Sequence, residues 1–127
     1  MTSDFAFKSG GRYHFKGFGE WVLKVKANLV MVEHFIGDEI GISEVLKLEE
    51  EDYSALIEEI GNLNKLTSSV RAGQPDEALY EFVFNKDGII REVGIWANDA
   101  SKDLNIQRFI EIFKEIVEMY LKKQCVI

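Results

Sequence analysis

The stretch from Leu104 to Leu121 constrains this chain more than any other. Ile106, Phe109, Ile110, Phe113, Ile116, Val117 and Tyr120 recur at helical spacing and make one broad apolar stripe. Asp103 stands where a carboxylate caps a first turn, and Lys122-Lys123 stand where cations suit a last one. A helix with so wide an apolar face is held by packing more than by propensity, so the rest of the chain must cover it.

Most of that remainder reads as strands. Asp4 to Lys8 alternates, with Phe5 and Phe7 on one side, and Gly10-Gly11 punctuates it. Tyr13, Phe15 and Phe18 follow in a glycine-flanked aromatic stretch that reads as strand or extended loop. Trp21, Leu23, Val25 and Ala27 line one face against Lys24 and Lys26, and Leu29 to Phe35 is again rich in strand formers. A turn near Lys26-Ala27-Asn28 makes these two runs a hairpin, and its absence makes them one long strand. Gly37-Asp38 signals a turn before a strand over Ile40 to Leu46.

Glu49 to Ile60 reads as a helix, because Tyr53, Leu56, Ile57 and Ile60 share one face. Its first turn is acidic, which complements the helix dipole, and Gly61 is the expected C-terminal cap. Asn62 to Glu77 is irregular, with a turn at Gln74-Pro75-Asp76. Ala78 to Phe84 and Ile89 to Trp96 form a hairpin about Asn85-Lys86-Asp87-Gly88, and Asn98 to Asp103 reads as a polar loop.

The order is strands, helix, hairpin, helix, without βαβ alternation. It predicts a single α+β domain over residues 1–127: an antiparallel sheet of about five strands with two helices packed on one face. The other face is then partly solvated. With 127 residues, 46% of them apolar, the chain is long enough to build a core without staples. Its single cysteine, Cys125, makes no internal disulfide, so the fold needs no oxidising compartment. No apolar stretch reaches spanning length and the first residues lack a signal pattern. The expectation is a cytoplasmic protein without a membrane span, unless an N-terminal export segment has been removed.

The net charge is −7 and unevenly placed. Ile36 to Ile60 holds nine acids and one lysine, a net of −8. No basic stripe is present, which argues against a nucleic-acid partner.

Signals for chemistry are sparse. His14, His34, Glu33 and Cys125 are the candidate metal ligands, but their spacing matches no metal motif, so surface or hydrogen-bonded histidines are the plainer reading. Ser68-Ser69 lacks the surroundings of a nucleophile elbow, and Cys125 lies where chains usually fray. Gly10-Gly11 and Gly17-Phe18-Gly19 are not followed by a helix start, so they read as turns and not as phosphate loops. No cofactor is expected. Trp96 with Asn98 and Asp99 could form a ligand platform, although Trp21 and Trp96 fit core packing at strand ends.

From Trp21 to about Lys123 the chain resembles a group of uncharacterised prokaryotic small domains of unknown function. The shared features are an opening β-hairpin, the acidic entry Leu48-Glu49-Glu50-Glu51-Asp52, a loop ending in Pro75-Asp76, a hairpin with Tyr80, Phe82 and Trp96, and a closing amphipathic helix. The resemblance implies the same α+β fold and carries no activity with it. Members often look secreted or lipid-anchored, and this sequence shows no such segment.

These readings lead to a binding or protein-interaction module without catalysis. Its acidic surface, Glu49, Glu50, Glu51, Asp52, Glu58 and Glu59, would face a basic protein partner. The alternative is a small-molecule or lipid-ligand domain with an aromatic pocket drawn from Phe5, Phe7, Tyr13, Phe15 and Phe18. A third reading is a homodimer through the open sheet face or an edge strand.

Overall fold

The computed structural model describes residues 3–13 and 18–127. Its strands are β1 (Phe5–Lys8), β2 (Glu20–Lys26), β3 (Leu29–Ile36), β4 (Glu39–Leu46), β5 (Leu79–Lys86) and β6 (Ile89–Trp96). Its helices are α1 (Glu50–Gly61), α2 (Ala97–Ala100) and α3 (Leu104–Leu121). The strands make one antiparallel sheet in the order β4-β3-β2-β1-β5-β6, so the α+β architecture is as expected, with six strands where about five were anticipated.

Local chemistry explains the hairpins. Between β5 and β6 the two turn residues Asp87 and Gly88 both have positive φ, the backbone of a tight hairpin whose twist matches its strands. Ala27 (φ 51°) turns β2 into β3, which decides for a hairpin over one long strand. Gly37 (φ 58°) turns β3 into β4.

The four-residue β1 takes a central position. Phe5 lies between Val25 and Phe84, and Phe7 between Leu23 and Phe82, so both rings sit in the middle of the apolar face. They are buried core and line no open pocket. α3 lands on them. The Phe109 ring centroid is 5.5 Å from Phe5 and 5.1 Å from Phe7, both edge-on, and Phe113 meets Phe7 at 6.0 Å and Trp21 at 6.3 Å. Full burial of such a side chain is worth about 1.5–3 kcal/mol, and edge-to-face pairs add about 0.5–1.5 kcal/mol.

α3 has the predicted limits. The Asp103 carboxylate accepts from the Ile106 N–H at 3.0 Å, and Lys122 (φ 55°) ends the helix in a left-handed turn. The chain then folds back and buries Cys125, which therefore does not fray. α1 differs at its end. Gly61 is the last helical residue and the cap is Asn62 with φ −70°, so glycine's left-handed freedom is not used there. The loop expected after Trp96 contains the one-turn helix α2, closed by a Ser101 Oγ to Asn98 O bond of 2.9 Å.

The two sheet edges are finished differently. Residues 64–71 lie along β6: Ser69 N–H donates to Gly94 O (2.9 Å), Ser68 Oγ accepts from Gly94 N–H (3.1 Å), and Ser69 Oγ accepts from Trp96 N–H (3.1 Å). The Arg91 guanidinium ties the same segment down through Leu66 O (2.7 Å) and Asn64 O (2.8 Å). Among the described residues, nothing pairs with the outer side of β4.

Candidate functional site

α1 and α3 pack side by side, and their composition makes the helix layer acidic. The two helices carry eight carboxylates against Arg108 and Lys114, a net of −6 out of the chain's −7. The remaining fourteen acids and thirteen bases nearly cancel.

The six acids expected to form one surface do not share one direction. At about 100° per residue, Glu51 and Glu58 point away from the apolar face, whereas Asp52 and Glu59 lie on a flank. Glu49, Glu50, Glu51 and Glu58 are exposed, while Asp52 and Glu59 are half-buried. Asp52 accepts the Tyr120 hydroxyl of α3 at 2.6 Å, and that hydroxyl accepts the Glu49 N–H at 2.8 Å. Tyr120 thus satisfies a free donor at the start of α1, where no side chain of α1 serves as cap. The hydrogen bond to Asp52 pushes the Tyr120 pKa up. One carboxylate oxygen of Glu59 is enclosed and has no hydrogen-bond partner among the described residues.

α3 contributes exposed acids that the reading of the sequence missed. Glu111, Glu115 and Glu118 fall at i, i+4 and i+7 on its outer face. The signal in the sequence is that helical spacing, which charge density along a linear window does not register. Tyr53 fixes α1 on the sheet, donating to Ala27 O in the β2–β3 turn at 2.6 Å.

A second cluster gathers at the junction of β6, α2 and the long loop before β5. Arg71 forks onto both oxygens of Glu77 (2.9 and 2.6 Å) and reaches Asp99 Oδ1 at 3.2 Å. Glu77 also accepts the backbone N–H groups of Gln74 (2.8 Å) and Asn98 (2.9 Å), and its side chain is 4% exposed. The Arg71 bond holds the Glu77 carboxyl down at about 2, and the same bond pushes Arg71 up. Asp99 accepts Ser69 Oγ at 2.7 Å, and this bond, aided by Arg71, lowers its pKa. Ser68 and Ser69 thus use their hydroxyls to finish the sheet edge.

Trp96 belongs to the same cluster. Its indole N–H donates to Arg71 O at 3.0 Å, and its six-membered ring lies against Gly73. A Cβ on Gly73 would stand 2.6–2.7 Å from three ring carbons. Trp96 also walls a cleft of 590 Å³ together with Phe18, Tyr80 and the Gly10-Gly11 backbone. Asp99 opens instead on a separate hollow beside Ser69 and Asp103. The structure therefore joins Trp96, Asn98 and Asp99 through the loop's hydrogen bonds but does not turn them onto one cavity. Burial raises the Tyr80 pKa.

His34 stacks on Trp21 at 4.2 Å and donates from Nε2 to Phe18 O at 2.6 Å. Gly19 (φ 80°) permits that approach, since a Cβ there would collide with Phe35 O and with the His34 ring. Glu33 pairs with Lys24 at 3.4 Å. Burial pushes the Cys125 thiol up to about 12. Among the described residues no group of three or more His, Cys, Asp or Glu could hold a metal ion. Tyr13 is exposed and donates to Asp38 at 3.2 Å. His14, Phe15 and Gly17 lie outside the described residues. No helix among the described residues is long and apolar enough to cross a membrane.

Compared with known proteins, the chain matches no family model, no curated protein and no solved structure.

Proposed function

We propose that this domain is a non-catalytic protein-interaction module whose acidic helix layer receives a basic partner. The observation that carries the reading is the state of six exposed glutamates: Glu50, Glu51 and Glu58 on α1, and Glu111, Glu115 and Glu118 on α3. None forms an ion pair among the described residues, whereas Arg12–Glu20, Lys24–Glu33 and Arg71–Glu77 are paired elsewhere. Like charges on adjoining helices repel, and a basic surface relieves that repulsion. Such a field speeds encounter and selects the partner's charge, an effect that weakens as salt shortens the screening length.

The test is the triple change Glu50→Lys, Glu51→Lys and Glu58→Lys, which takes the net charge from −7 to −1. Capture from the source lysate with wild type and variant should yield a basic protein bound only by the wild type. Its association rate at low salt should fall at least tenfold in the variant. An unchanged association rate would overturn the reading.

A second reading rests on the 590 Å³ cleft beside Phe18, Tyr80 and Trp96. A planar or aliphatic small molecule, lipid included, suits those walls. Native mass spectrometry of freshly purified protein should then show a copurified ligand that Trp96→Ala loses.

A further inference from the structure

We propose that the outer edge of β4 accepts an extended segment of the partner as a seventh strand, with basic and apolar residues alternating along it. The inference rests on the reading of the domain as an acidic interaction module and names how the partner is held.

The first observation is the contrast between the sheet edges. The Ser68, Ser69 and Arg91 bonds seal β6, while the eight residues of β4 have no neighbour on their outer side among the described residues. An uncovered edge is a row of free N–H and C=O groups, which is the template used when a peptide adds to a sheet. β4 is also the most exposed strand: Ile40 is 62% and Val45 56% exposed, and only Leu46 is buried.

The second observation is the distribution of side chains about that edge. Val30↔Leu46, Val32↔Glu44 and His34↔Ile42 put Glu44 on the helix side of the sheet, with Val45 and Ser43 on the open side. The register then shifts at His34/Phe35, so that Phe35↔Ile40 and Ile36↔Glu39 follow. Glu39 therefore returns to the helix side and Ile40 to the open side. Both carboxylates flank the edge on the side of the acidic helices, and both exposed apolar side chains flank it on the other.

An added strand alternates its side chains in the same way. Lysine or arginine at every second position would meet Glu39 and Glu44, and the apolar residues between them would lie beside Ile40 and Val45. Opposite charges across neighbouring strands stabilise pairing, and like charges directly opposite destabilise it. A second copy of this chain is disfavoured on that ground. A two-fold pairing centred on Glu44 sets carboxylate against carboxylate, and each copy carries −7.

The probe is an end-blocked eight-residue peptide alternating lysine and valine, labelled for fluorescence anisotropy. Its control is the same peptide with every second backbone nitrogen methylated, which keeps the charge and removes ladder donors. The native peptide should bind at least tenfold more tightly than the methylated one. Glu44→Lys should lose at least tenfold. Hydrogen exchange should show new protection within residues 39–45. The helix variant Glu50→Lys, Glu51→Lys and Glu58→Lys should keep both the protection and the preference for the native peptide. That result would stand even if the helix face recruits no partner, so the two readings fail separately. Equal binding of both peptides, protection on α1 or α3 alone, or a dimer forming through residues 39–45 would overturn the proposal.

Discussion

Replacing Gly73 by alanine tests how firmly the long loop is held to the sheet. Gly73 lies outside the left-handed region, so its backbone accommodates alanine. On chain entropy alone the change would stabilise the protein by about 0.4–1 kcal/mol. The structure opposes this, because the new methyl would stand 2.6–2.7 Å from three carbons of the Trp96 ring. A flexible side chain would swing clear, but this ring is rigid and its N–H is bound to Arg71 O at 3.0 Å. Inserting a methyl into such a contact typically costs about 1–3 kcal/mol. The clash outweighs the entropy gain over most of these two ranges, and at mid-range the net loss should be about 1–2 kcal/mol. At roughly 4 °C per kcal/mol for a domain of this size, Tm should drop by about 4–8 °C. Thermal unfolding measures the loss, and acrylamide quenching of tryptophan emission measures the displaced indole, since Trp21 stays buried. A variant as stable as wild type, with unchanged quenching, would show that Trp96 does not pin the loop.

Glu77 has its carboxyl lowered from an ordinary 4.5 to about 2, so its contribution is complete above pH 4.5 and is lost as pH falls through 2. Urea unfolding between pH 6 and pH 2 should show the stability gap between wild type and Glu77→Gln shrinking with acidification, and a constant gap would refute this. Tyr120→Phe removes the bonds to Asp52 and to Glu49 N–H, and chemical denaturation should show a loss of about 1–2 kcal/mol. A change below about 0.3 kcal/mol would mean that the hydroxyl does not join α1 to α3. The Cys125 thiol is buried and raised to about 12, so iodoacetamide at pH 8 should label unfolded protein and spare native protein. Rapid native labelling would show that residues 122–127 do not dock.

What the sequence disclosed was local. The limits of α3 follow from one periodic stripe between Asp103 and Lys122, and the β5–β6 hairpin follows from Asp87-Gly88. The place of β1 does not follow from any local pattern. Phe5 and Phe7 look alike whether their strand lies at an edge or in the centre, and only the pairing with both β2 and β5 decides. The stretch from Asn62 to Glu77 looked irregular because its order comes from side chains. Ser68, Ser69, Arg71 and Glu77 bond to groups on β6 and α2 that are about 20 to 30 positions away in sequence. Arg71, Glu77 and Asp99 were visible as charges, but nothing in their spacing announced that they converge.

The acidic surface shows the same limit in another form. Charge density along the chain selected Asp52 and Glu59, which turn toward partly enclosed positions on α1, and passed over Glu111, Glu115 and Glu118, which helical spacing sets outward. Function at a surface depends on direction, and direction depends on phase within an element as much as on composition. The phase of β4 leads to the same conclusion. One register shift at His34/Phe35 returns Glu39 to the side of Glu44, so two residues separated by an odd interval come to share a face. Without that shift the edge would carry one carboxylate on each side, and a partner strand with regular alternation would match only one of them. On β4 the shift skips Gly41, which lies between Ile42 opposite His34 and Ile40 opposite Phe35, so the proposed specificity for a basic and apolar alternating segment depends on that extra residue. Deleting Gly41 should move Glu39 across the sheet and weaken binding of the lysine–valine peptide even with both glutamates present. Equal affinity for that peptide, with the fold intact by circular dichroism, would separate recognition from the phase of the edge.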